Sequence, residues 1–243
     1  MTTFAVALGL SIVGSVGALA VAAGLLLFSD SVRVRLVPWL ISYAVGTLLG
    51  AALLGLLPRA LEQLDTTPAL GTLLFGIFTF FVLEKLVLWR HCHTEDCEVH
   101  GSAATLILIG DGLHNLVDGA IIAAAVLTSV PLGISTAIAV AAHEIPQEVG
   151  DFAVLLGAGY TCRRALMLNV LSGLAAVLGA VLMFLAIDQL PRALPYVLPF
   201  AAGNLLYVAM SDLIPDLHRG AIDASDVRQV ALVAAGILTV VMM

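Results

Sequence analysis

The chain has 243 residues, of which 61% are hydrophobic and 11% charged, and its formal net charge is −7. Soluble domains carry about 25% charged and about 45–50% apolar residues, so a soluble globular domain is excluded, as are a collagen, a disulfide scaffold and a disordered tail. The composition describes an all-α polytopic membrane protein, a single transmembrane domain over residues 1–243.

A spanning helix needs about 20 mainly apolar residues. The apolar stretches predict eight: Phe4–Phe28, Leu36–Leu57, Pro68–Leu88, Ala103–Leu127, Gly133–Ala158, Ala165–Ile187, Leu194–Ile214 and Val227–Met242. The first has no basic n-region and no small-residue cleavage site, so it is expected to be a span and not a removed signal peptide. Turn residues separate the stretches, among them Ser29-Asp30-Ser31, Asp65 to Pro68 and Val130-Pro131. None shows the alternation of a barrel strand, which leaves a helical bundle as the way to satisfy the backbone in lipid. Small residues at four-residue spacing, such as Gly46 and Gly50, are read as close helix packing.

The basic residues set an expected orientation. Arg33, Arg35, Lys85, Arg90, Arg163, Arg164, Arg219 and Arg228 fall on one side, and only Arg59 and Arg192 on the other. The positive-inside rule then puts the loops after spans 1, 3, 5 and 7 in the cytosol and both termini outside. The expected location is an integral membrane protein of the plasma (inner) membrane.

Ionisable groups inside a span cost about 2.5–3.5 kcal/mol each on insertion scales, and mark function by default. They crowd spans 4 and 5, which read Gly110-Asp111-Gly112-Leu113-His114-Asn115-Leu116-Val117-Asp118 and His143-Glu144-Ile145-Pro146-Gln147-Glu148-Val149-Gly150-Asp151. His114 and Asp118 are four apart, one turn above each other, with Asn115 beside them and Asp111 on the same side. His143 and Gln147 stack likewise, with Glu144 and Glu148 adjacent. Two facing helices would present two imidazoles, several carboxylates and two amides to one cavity, a donor mixture suited to zinc and related first-row cations. Pro146 removes a backbone donor, which is tolerated where a helix lines a polar cavity. His143-Glu144-x-x-Gln147 also looks like the zinc-protease pattern HExxH, but the second histidine is absent and Pro146 interrupts the helix.

Between spans 3 and 4, residues 90–102 form an expected cytosolic loop with His91, Cys92, His93, Cys97 and His100. Such a tract offers thiolate and imidazole to a soft or borderline cation without the spacing of a rigid zinc motif. Glu148 and Asp151 are expected to line a cytosolic exit, or Asp151 to pair with a neighbouring helix, and Asp212, Asp216 and His218 stand near the cytosolic end of span 7. Glu84 is expected to pair with neighbouring Lys85 at the membrane edge, and Trp39 and Trp89 to anchor the interface.

These motifs resemble the ZIP (Zrt/Irt-like) divalent metal transporters. His-Asn-x-x-Asp-Gly at 114–119 and His-Glu-Ile-Pro-Gln-Glu-x-Gly-Asp at 143–151 look like the signatures of that family's helices 4 and 5, closest to the branch that reads HExPHExGD. Phe81-x-x-Glu84-Lys85 and the run from Phe200 to Pro215 are further echoes, so the resemblance covers the whole chain. It implies a transport site of His114, Asp118, His143 and Glu144, and an adjacent one of Asn115, Asp118, Glu144 and Gln147, with Asp118 and Glu144 bridging. It also implies that helices 4 and 5 lie between inverted repeats made of helices 1–3 and 6–8.

Three departures stand out. Gln147 occupies a place where the branch usually carries His, so the second site is expected to be weaker or differently selective. Helix 2 lacks the branch's Asp and two His around Leu57-Pro58, and Ala176 stands where some members have Glu. The expected function is transport of a divalent cation toward the cytosol by a secondary carrier, not an enzyme. Zinc is the first cargo expected, with cadmium, iron and manganese behind it. The expected partners are metal ions, the bilayer and a second copy in a homodimer, and no nucleic acid. A zinc-dependent intramembrane hydrolase and a metal sensor without flux are the alternatives from other classes.

Overall fold

A computed structural model of the chain describes residues 2–89, 99–189, 191–217 and 224–243. Among the described residues every regular element is helical. α1 is Thr3–Ile12 and Ala18–Leu25 joined by a π-helical segment, Val13–Gly17. α2 is Asp30–Gly50, a second π segment, Ala51–Leu56, and Leu57–Leu61. α3 (Thr66–Trp89), α4 (Val99–Thr128), α5 (Val130–Gly157) and α6 (Cys162–Gln189) follow. α7 is Leu194–Tyr207, a third π segment, Val208–Leu213, and Ile214–Leu217; α8 is Ala224–Val241.

Six of these helices are long and apolar enough to cross a membrane, where the sequence predicts eight spans. α5 misses the mark because His143, Glu144, Gln147, Glu148 and Asp151 dilute its apolar surface, although its 28 residues exceed the length required. The apolar part of α8, Val227–Val241, is short of that length. The chain is a polytopic membrane protein.

The helices end where local chemistry stops them. Thr2 caps α1 by accepting the amide of Ala5, and the Ser129 hydroxyl accepts the amide of Leu132 at the start of α5, where Pro131 needs no donor. α5 closes on Gly159, the residue with φ of 85°, while the Tyr160 amide reaches back to the Leu155 carbonyl at 3.1 Å.

Packing is inverted relative to a soluble protein. On α6 the large side chains Leu171, Leu174, Leu178, Leu182 and Leu185 are exposed along one face, as a lipid-facing stripe requires. The opposite face, with Ala165, Asn169, Ser172, Ala176 and Ala180, is buried against the bundle. Small residues inside allow backbones to touch, and in lipid that contact replaces the missing hydrophobic drive. Three pairs of glycines do this reciprocally. A Cβ on Gly46 would overlap the Val233 carbonyl, and one on Gly236 the Tyr43 carbonyl, which seals α2 to α8. Gly76 meets Phe200 and Gly203 meets Leu73 between α3 and α7, and Gly119 meets Ala176 and Gly179 meets Leu116 between α4 and α6. α5 runs against α1, α2, α4 and α6 at once. Its polar face is thereby enclosed by protein.

Some edge contacts differ from expectation. Glu84 accepts the hydroxyl of Tyr207 from α7, and Lys85 instead places its ammonium 5.7 Å from the centre of the Phe81 ring. The cross-helix hydroxyl gives Glu84 a hydrogen-bonded partner that a flexible neighbouring lysine would offer only at entropic cost. Trp39 carries the Arg228 guanidinium over its ring at 5.8 Å.

Candidate metal site

α4 and α5 bring His114, Asp118, His143 and Glu144 together, the first two by their four-residue spacing on α4 and the last two as neighbours on the inward side of α5. The two Nε2 atoms of His114 and His143 are 3.0 Å apart. His143 Nε2 is 3.1 Å from Asp118 Oδ2 and 3.4 Å from Glu144 Oε1, and His114 Nε2 is 3.6 Å and 3.7 Å from the same oxygens. A tetrahedral zinc with bonds of about 2.0–2.1 Å has its ligand atoms about 3.3 Å apart. The five distances straddle that edge length. Four donors, two imidazole and two carboxylate, thus stand at separations near those of a zinc site, all within 4.8 Å of one another.

Hydrogen bonding reinforces this reading. His143 Nδ1 lies 3.1 Å from the Ala139 carbonyl, which can only accept, so Nδ1 carries a proton and Nε2 faces the cluster. Asp118 and Glu144 are fully buried, yet none of their carboxylate oxygens has a hydrogen-bond partner. Buried carboxylates without donors are costly, and a cation removes that cost. Among the described residues no lysine or arginine forms an ion pair with them.

The remaining polar residues of α4 and α5 surround Asp111. Asn115 Nδ2 donates to Asp111 Oδ1 at 3.0 Å, Gln147 Nε2 donates to the same oxygen at 3.1 Å, and the Ser172 hydroxyl of α6 donates to Oδ2. The Ser15 hydroxyl of α1 lies 2.7 Å from Asn115 Oδ1 and 2.9 Å from the Gly173 carbonyl. Asn115 and Gln147 therefore turn their amide nitrogens toward an acid. Glu148 is buried with both oxygens unpartnered, and its carboxylate lies within 4.8 Å of those of Asp111 and Glu144. A cavity of about 550 Å³ leads away from Asp111 and His114 past Gln147 and Asp151 to Glu84 and Asp212.

Asp212 is exposed on the π segment of α7, and its neighbourhood includes the Tyr207 hydroxyl. His91, Cys92, His93, Cys97 and His218 lie outside the described residues, as do the side chains of His100, Asp216 and Trp89. Ser15 and Ser172 escaped the sequence reading. Single serines among small residues look like helix packing, and only their contacts with Asn115 and Asp111 mark them as supports of the site.

Comparison with known proteins accords with this geometry. The sequence model described as ZIP zinc transporter matches residues 89–243. "Zinc transporter ZIP13" of Pongo abelii is 34% identical over 223 residues, covering 84% of this chain and 65% of the relative. "Zinc transporter YKE4" of Saccharomyces cerevisiae is 32% identical over 216 residues, covering 76% and 62%. "Zinc transporter ZIP13" of Mus musculus is 30% identical over 250 residues, covering 84% and 69%. The chain spans slightly less than two thirds of the length of the first two. With matched motifs on α4 and α5 and a family match over most of its length, the chain belongs to the ZIP zinc transporter family.

Proposed function

We propose that this protein carries divalent cations, zinc foremost, across the membrane toward the cytosol, acting as a secondary carrier. One observation carries the reading: His114, Asp118, His143 and Glu144 bring two imidazoles and two carboxylates together, at separations near those of a zinc site, between two membrane helices. Its relatives are named zinc transporters, which agrees. The ion exchanges its water for these ligands, and a change of access releases it along the cavity toward Asp151 and Asp212. Release requires binding that is not too tight.

Several finer features belong to the same proposal. Glu144 is shared between the tetrahedron and the Asp111–Glu148 pair, which supports two neighbouring ion positions on α4 and α5. Eight spans with both termini outside follow if α5 and α8 cross with the six apolar helices, as the basic residues favour. Cadmium, iron and manganese are further cargoes by ligand chemistry. The loop at 91–100 collects metal at the cytosolic face, and two copies assemble as a homodimer.

Purified protein in proteoliposomes tests the function. Inward zinc flux is expected for the wild type and background flux for His114→Ala and Asp118→Ala. Wild-type flux in both variants, with equal reconstitution, would overturn the site.

A further inference from the structure

We infer that a groove between α3 and α7, on the lipid-facing surface, seats one anionic phospholipid, with an acyl chain along Leu74, Phe78 and Phe81 and the phosphate at Lys85. The seat lies apart from the cluster on α4 and α5 and is independent of what that cluster carries.

Helix periodicity builds the groove. On α3, Leu74, Ile77, Phe78 and Phe81 stand at i, i+3, i+4 and i+7, which is one face of a helix. α7 supplies the other wall, including Tyr207 and, from its π segment, Ser211. Such segments within α-helices are frequent at functional places. Gly76 and Gly203 already bring the two backbones into contact, so the helices cannot approach further to close the hollow beside them. Its volume is about 390 Å³, inside the range of about 300–1,000 Å³ that ligand pockets occupy. Leu74, Phe78 and Phe81 are exposed, and in a membrane protein that surface meets hydrocarbon.

The polar end names the occupant. Lys85 follows Phe81 by one turn on the same face, and its ammonium lies 5.7 Å from the centre of the Phe81 ring. The side chain is exposed, and among the described residues it forms no ion pair. Its neighbour Glu84 is turned away to accept the Tyr207 hydroxyl. Glu84 and Asp212, the nearby acids, line the metal cavity and not the groove. A lysine carries its charge along an apolar stem to the headgroup level, where it attracts anionic lipid. A cation at one end and an apolar trough behind it match a lipid phosphate and its chain.

A second copy of the chain fits this face less well. Two chains packed through it about an axis normal to the membrane would present the same patch to each other. Both Lys85 ammonium groups would then stand at one depth, with no acid of the groove between them. For a lipid, leaving other lipids for the groove brings packing contacts but no hydrophobic drive. That gain is common to all phospholipids with the same chains, so the choice among headgroups falls to Lys85. Tyr207 lines the groove and the metal cavity alike, so the seated chain bears on the residue that holds Glu84.

Native mass spectrometry of the full chain tests this, because it counts bound lipids and chains together. The protein is released from detergent with equal amounts of phosphatidylglycerol and phosphatidylcholine carrying identical acyl chains. Wild type is expected to retain one phosphatidylglycerol per chain in preference to phosphatidylcholine. Lys85→Gln, at an exposed position where the fold is not at stake, should cut that preference about fivefold, the equivalent of about 1 kcal/mol for one basic side chain at an anionic headgroup. Ser211→Phe fills the groove from the α7 side and should lower retention of both lipids. Arg164→Gln removes a cation on α6 that packs over Tyr160, away from the groove, and should keep the wild-type preference. An unchanged preference in Lys85→Gln would overturn the seat. An equal loss in Arg164→Gln would also overturn it, by reducing the effect to general surface attraction. A change from two chains to one in Ser211→Phe, with phosphatidylglycerol still retained, would assign the face to a second copy instead.

Discussion

Gly119 of α4 and Gly179 of α6 clasp the two helices from both sides: a Cβ on either would overlap a backbone carbonyl of the other helix, that of Ala176 or Leu116. Gly119 directly follows Asp118, so the clasp and the metal site share one turn. Backbone cannot yield as a flexible side chain does. Gly119→Ala is therefore expected to cost about 1–3 kcal/mol, the range for overpacking, and to displace Asp118. Gly24, whose Cβ would meet nothing, is the control. Thermal unfolding in detergent should show a lowered midpoint and lost zinc stabilisation for Gly119→Ala, and neither for Gly24→Ala. Equal midpoints would show that α4 and α6 are farther apart than this.

Zinc should stabilise the folded chain by mass action. At free zinc 100-fold above Kd the gain is about 2.7 kcal/mol. The wild-type midpoint is expected to rise with zinc and fall back on chelation. In His143→Ala, which lacks the Nε2 nearest Asp118 at 3.1 Å, most of the rise should vanish. A full zinc shift in that variant would mean the imidazole is not a ligand.

Much of this was legible in the sequence because the bilayer restricts what a chain can do. Apolar length located the helices: the stretch 165–187 became α6 over Cys162–Gln189, and 103–127 became α4 over Val99–Thr128. The intramembrane acids and histidines pointed to α4 and α5 as the candidate site, and His114, Asp118, His143 and Glu144 do come together there. Partner choice was not legible. The direction in which the amides of Asn115 and Gln147 point depends on Asp111, itself held by Ser172 from a helix distant in sequence. The π segments were hidden too, because they insert a residue into an apolar run without changing its composition. Glu84 was assigned to its sequence neighbour, but its partner is Tyr207 on α7.

Ser15 joins α1 to the site through Asn115. Ser15→Ala removes the hydroxyl and leaves Asn115 Oδ1 as a buried acceptor, which costs about 1–3 kcal/mol. The amide is then free to rotate, and Asp111 loses one donor in part of the population. Lower thermal stability and weaker metal binding are expected, with zinc flux reduced but present. Ser15→Thr, which restores the hydroxyl, should recover the stability if the extra methyl fits. Wild-type stability in Ser15→Ala would mean that the contact contributes nothing.

Gln147 offers the sharpest test of how the site is wired. Its nitrogen donates to Asp111 Oδ1 at 3.1 Å. Gln147→Glu keeps the shape of the side chain but replaces that donor with an oxygen. Two like charges at such a distance repel by about 5 kcal/mol even at an effective dielectric of 20, and the site already holds other carboxylates. Without metal the variant should be markedly less stable than wild type. With zinc or manganese part of that loss should return, because a cation between the oxygens replaces repulsion by attraction, so its metal-induced rise in midpoint should exceed that of wild type. Melting curves in chelator and in each metal measure both quantities. If Gln147→Glu melts like the wild type in chelator, the Gln147 amide does not face Asp111, and its oxygen is free to serve the ion instead.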